Sequence, residues 1–110
     1  MAKYMVVGSY TAESWARMVA NPGDRSAVAR AACEAVGGRL EAFYWAFGPD
    51  DFVAIADLPD DSSAGALSVG VSSSGALHGV RTIKLLTMEE GETMLERAKG
   101  VAAGYRRPGT

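Results

Sequence analysis

At 110 residues the chain has the length of one domain, and its 48% hydrophobic and 22% charged content excludes a disordered or fibrous protein. With 11 basic against 13 acidic residues the net charge is −2, so no electrostatic excess points to nucleic acid or to an anionic membrane as partner. The single cysteine, Cys33, excludes an internal disulfide and a cysteine-based zinc cage within one chain.

The opening stretch MAKYMVVGSY holds one early lysine and a short apolar run ending at Gly8 and Ser9. That is well below the roughly 7–15 apolar residues of a signal-peptide core. Its tyrosines and valines predict a strand over residues 3–10. No stretch approaches the roughly 18–20 apolar residues of a membrane span, and neither end carries a lipidation motif, so a cytoplasmic protein is expected. Thr11 is placed to cap a helix in which Trp15, Met18 and Val19 recur at helical spacing, until Asn21-Pro22-Gly23 interrupts it. From Asp24, a second capping residue, apolar positions resume at Val28, Ala31, Ala32, Ala35 and Val36 and stop at Gly37-Gly38. The expectation is one kinked or two-part helix.

Residues Arg39 to Phe47 alternate imperfectly. Leu40, Ala42, Tyr44 and Ala46 are expected on one face, and Phe43, Trp45 and Phe47 on the other with Arg39 and Glu41. Gly48-Pro49-Asp50-Asp51 reads as a turn and Phe52 to Leu58 as the second strand of a hairpin. Pro59 to Ser62 opens a weak, Ser- and Gly-rich helix with Ala64, Leu67 and Val71 on one side. Leu77 to Leu86 predicts a last strand, and Thr87 with Glu90 forms a capping box for a helix through Met94, Leu95, Ala98 and Val101 to Gly104. A single domain over residues 1–104 is expected, with a flexible tail over 105–110.

The order βαββαβ, plus a C-terminal helix, predicts an α+β, ferredoxin-like sandwich. Both crossover helices then cover one face of the sheet, and the other face is a bare apolar surface. The economical cover is a second copy, so a homodimer through the sheet faces is expected, its paired sheets closing a dimeric α/β barrel.

The hairpin FYWAFGPDDFVAIADLPDD and the later GVRTIKLLTMEE resemble the GYD-domain family, and the similarity runs from AKYMVVGSYT to TMEE. The resemblance implies a ferredoxin-like protomer that dimerises as an α/β barrel, and it speaks to fold more than to reaction. Gly48 and Asp51 keep the family's pair, but Asp50 stands where a tyrosine is usual. His78-Gly79 precedes Val80-Arg81-Thr82 where glycine-asparagine is usual.

His78 is the only side chain whose ordinary pKa, about 6.5, lies near neutrality, so any histidine acid/base step must use it; the plainer role is a solvated imidazole near the start of the last strand. Asp51 either accepts backbone N–H bonds that hold the hairpin or lies in a pocket as a base. Tyr44 and Trp45, with Phe43, Phe47 and Phe52, either line a cleft for a planar ligand or cover sheet faces. Arg81 and Tyr10 could receive an anionic group; the competing role of Arg81 is an interface ion pair with Glu41 or Asp57. Cys33 reads as a small buried hydrophobe, and the Ser72-Ser73-Ser74-Gly75 run as a turn rather than a nucleophile elbow or phosphate loop. No ligand set for a metal and no cofactor motif is present.

The functional expectation is a small dimeric α/β-barrel protein whose apolar pocket binds a small organic molecule. If it is an enzyme, resemblance to other dimeric α/β-barrel proteins implies a metal-free, cofactor-free isomerase, cyclase or monooxygenase acting on an aromatic or polyketide-like substrate. His78 would then be the acid/base, Tyr44 and Arg81 would orient an oxygen function, and Trp45 would stack on the substrate. The alternative is a non-catalytic ligand-binding or regulatory module of the same fold.

Overall fold

The computed structural model describes residues 1–110. Its elements are β1 (Ala2–Tyr10), α1 (Ala12–Ala20), α2 (Ser26–Ala35), β2 (Arg39–Trp45), β3 (Phe52–Leu58), α3 (Asp61–Ser72), β4 (Leu77–Leu85) and α4 (Met88–Gly104). The four strands form one antiparallel sheet in the order β2-β3-β1-β4. This is the ferredoxin-like α+β arrangement with an added C-terminal helix.

The first helical stretch is two separate helices. Thr11 caps α1, its side chain accepting from the Ser14 N–H at 3.2 Å. Proline in Asn21-Pro22-Gly23 has no N–H to continue the ladder, and α1 ends at Ala20. The Asp24 carboxylate then accepts from both the N–H and the hydroxyl of Ser26, at 2.9 and 2.6 Å, at the start of α2. Despite two internal glycines α3 forms over twelve residues, with Asp60 accepting from the Ser63 N–H at 2.8 Å. Thr87 and Glu90 make the reciprocal capping box of α4.

Alternation along the strands divides the sheet cleanly. On β1 and β3 the residues Tyr4, Val6 and Tyr10, with Phe52, Ala54, Ala56 and Leu58, are buried toward the helices. Lys3, Met5 and Val7 pair with Asp57, Ile55 and Val53 on the opposite, open face, where Val7 alone is buried, and β4 adds Leu85, Ile83 and Arg81 there. Gly8 is required by close approach: a Cβ would sit 2.8 Å from both the Phe52 ring and the Gly79 carbonyl.

One expectation is corrected at β2. A bulge between Leu40 and Ala42 inserts Glu41 as an extra residue and resets the alternation. Leu40 therefore lies opposite Ala56 and shares the helix-side face with Phe43 and Trp45, while Arg39, Ala42 and Tyr44 share the open face. The strand also ends at Trp45; the Ala46 N–H donates to the Asp51 carbonyl at 2.8 Å, and Phe47 is fully exposed.

The sheet, α2 and α3 hold the buried core, whereas α4 projects from it. From Thr87 to the C-terminus every residue but Gly91 is exposed, including Met94, Leu95, Val101 and Tyr105. The molecule is accordingly elongated, 58 × 33 × 23 Å, with a radius of gyration of 17.7 Å against about 13 Å for a compact chain of this length.

Candidate functional site

A cavity of about 410 Å³, partly open to solvent, lies between the helix-side face of the sheet and the helices α2 and α3. Small side chains create it. Val6, Ala54 and Ala56 form a shallow floor on the central strands, and Ala29 and Ala32 on α2 add no bulk from above. Leu67 and Val71 of α3 close the far wall. Arg25, Ser68 and Ser74 are the polar lining residues and the rest are hydrophobic. The size and lining fall within the range of small-molecule sites.

Aromatic rings hold one end of this space. Tyr10 meets Phe52 at a ring separation of 5.4 Å and Trp15 edge-on at 5.5 Å, and Trp15 stacks on Trp45 at 5.6 Å. Phe43 stands edge-on to Phe52 at 5.7 Å. Tyr10, Phe43 and Phe52 line the cavity, whereas Trp45 stays half exposed beyond it.

The polar lining is partly committed. Ser74 donates to the Val71 carbonyl at 2.6 Å and accepts from the Ala76 N–H at 3.1 Å. Ser68 shares a hydrogen bond with Thr82 of β4. Arg25 is different: its Nε is buried with no hydrogen-bond partner. Cys33 is 3% exposed in the same lining, and burial pushes its thiol pKa up, which keeps it protonated.

The residues singled out from sequence do not converge. Tyr10 alone lines the cavity. The Asp51 carboxylate accepts from the Tyr10 N–H at 2.8 Å and the Asp51 N–H donates to the Gly8 carbonyl at 2.7 Å, so this residue ties the hairpin to the end of β1. Gly48, at φ 129°, supplies a turn conformation that a side chain would oppose. The two residues shared with the family pattern thus build the hairpin. Tyr44 is exposed on the open face.

Within the chain Arg81 pairs with Asp50 at 2.6 Å, while Glu41 and Asp57 are engaged at the other end of the open face. There Lys3 reaches Glu41 at 2.7 Å and Asp57 at 3.0 Å, and Arg39 reaches Asp57 at 3.0 Å. Hydrogen bonds from Arg39 and Lys3 hold the Asp57 carboxyl below the usual range, and those to Glu41 and Asp57 raise Lys3. His78 is exposed at the register shift between β1 and β4, where Tyr10 pairs with Leu77 and Ser9 with Gly79. No group of three or more His, Cys, Asp or Glu side chains is placed to hold a metal ion. No helix is long and apolar enough to cross a membrane.

Sequence reasoning missed Arg25, although its signal is present. Positions 25, 28, 29 and 32 share one face of α2 at i, i+3, i+4 and i+7, which puts a lone arginine on an otherwise apolar stripe. Among curated proteins none matches the chain. The GYD domain, however, matches residues 4–95, spanning all four strands and both faces just described, and the chain belongs to the GYD domain family.

Proposed function

We propose that this protein is a cytoplasmic homodimer, joined through its open sheet faces, that binds a small, mainly apolar organic molecule between the sheet and α2 and α3. The observation that carries the reading is the 410 Å³ cavity and its hydrophobic lining. Because the cavity is partly open, its hydrophobic walls are left facing water, at a cost of about 25 cal/mol for each Å². An apolar occupant offsets such a cost by restoring the missing contacts. Binding is favoured over acid/base turnover because the only imidazole, His78, lies outside the lining and the Cys33 thiol there is shifted away from neutrality.

The dimer reading is supported by Met5, Val53, Ile55, Ile83 and Leu85, an aliphatic row on the open face that the chain leaves only partly covered. Sedimentation velocity at micromolar concentration should give a two-subunit species; a stable folded single subunit would overturn the dimer. Titration with the neutral fluorophore N-phenyl-1-naphthylamine should give one site per protomer. Ala29→Phe, which fills the cavity, should weaken that binding at least about tenfold with unchanged circular dichroism. Unaltered affinity in this variant would place the dye elsewhere and defeat the proposed site.

A further inference from the structure

Arg25 is the only charged residue lining the cavity, and no Asp or Glu lines it. It takes part in none of the protein's ion pairs. The neighbouring carboxylate, Asp24, is turned onto Ser26. The buried Nε is meanwhile the single buried side-chain polar atom of the protein that lacks a hydrogen-bond partner. Nε is closed even to a water molecule, which leaves the Nη end of the guanidinium, bonded to nothing in the chain, to take a partner. With no acid lining the cavity, that partner is an anion brought by the ligand.

We propose that the ligand is an amphipathic monocarboxylate, its apolar body in the cavity and its carboxylate received by Arg25. This rests on the cavity being a ligand site. A guanidinium offers its two Nη groups as a planar fork that matches the two oxygens of a carboxylate. A single fork suits a single negative charge. A phosphate monoester carries about −1.5 to −2 charge and three acceptor oxygens, and here the other polar lining side chains, Ser68 and Ser74, are already engaged with Thr82 and with the backbone. The hydrophobic remainder of the lining selects an alkyl or aryl body.

The test compares two probes of equal chain length, decanoate and decanol, by calorimetry at pH 7.5 and 150 mM salt. The wild-type protein should bind decanoate about 10- to 100-fold more tightly than decanol. Arg25→Met should remove that preference by weakening decanoate while decanol stays within about twofold, which also shows that the variant keeps a folded site. Arg25→Lys, which retains charge without the fork, should fall between the two. Equal affinity for both probes in the wild type, or decanoate binding indifferent to Arg25→Met, would overturn the carboxylate assignment and leave an apolar site standing. Binding of neither probe would overturn the cavity as a ligand site, and the carboxylate assignment with it.

Discussion

The two faces of the sheet use the same strands for opposite purposes. Toward the helices, β3 presents Phe52, Ala54, Ala56 and Leu58, all buried, and the two alanines leave the space that becomes the cavity. Toward the open side, the alternate residues Val53, Ile55 and Asp57 are only partly covered. Ion pairs stand at both ends of that face, Lys3, Arg39, Glu41 and Asp57 at one and Asp50 with Arg81 at the other. A single residue step along a strand therefore moves a side chain from the folding core and ligand site to the proposed subunit contact.

Substitutions on the two faces of β3 should separate these roles. The largest effect is expected at Leu58, fully buried where the sheet meets α2: Leu58→Ala should lose about 2–5 kcal/mol of unfolding free energy in urea. Ile55→Glu, three residues earlier and on the open face, should instead leave the protomer folded. It should raise the dimer dissociation constant at least about 100-fold, or about 2.7 kcal/mol, in sedimentation equilibrium. If it unfolds the chain without passing through a folded monomer, the separation of faces fails.

Asp51→Ala should cost about 1–3 kcal/mol in the same urea experiment, since it strips the acceptor from the part-buried Tyr10 N–H. It should also loosen the aromatic end of the cavity, so decanoate affinity should fall while Asp50→Asn leaves it unchanged.

Tyr4 tests the helix-side face by pH. Its hydroxyl donates to Asp61, and that bond together with desolvation pushes the phenol pKa up to about 12. A raised folded-state value stabilises the protonated form, so the contribution is whole below about pH 10, the ordinary phenol value, and is lost as pH rises through about 12. Tyr4→Phe should remove that part of the alkaline decline in melting temperature; an unchanged decline would show that another group governs it. The smallest effect is expected at Asp50→Asn. Its partner Arg81 is largely exposed, and such pairs contribute about 0–1 kcal/mol.

Local chemistry made most elements readable. Thr87 and Glu90, three residues apart, announce the start of α4, and Phe52 to Leu58 alternate so regularly that strand and buried face both follow. β2 was harder, because the Glu41 bulge is settled by pairing with β3 and carries no composition of its own. The site was harder still. Histidine, tyrosine and aspartate drew attention by residue type, yet Asp51 serves the backbone and Tyr44 faces away from the helices. The cavity instead comes from alanines, whose small volume means nothing until facing layers are set at a fixed distance.

By itself, then, the order of strands and helices, their caps and turns, and the surplus of apolar sheet were written in the residues, because periodicity and capping act within a few positions of the chain. Only the tertiary structure decided where α2 and α3 stand over Ala54 and Ala56, which acid takes Arg81, and that Arg25 is left beside an apolar space with no counter-charge. Those outcomes depend on distances between segments far apart in sequence, which no local pattern encodes.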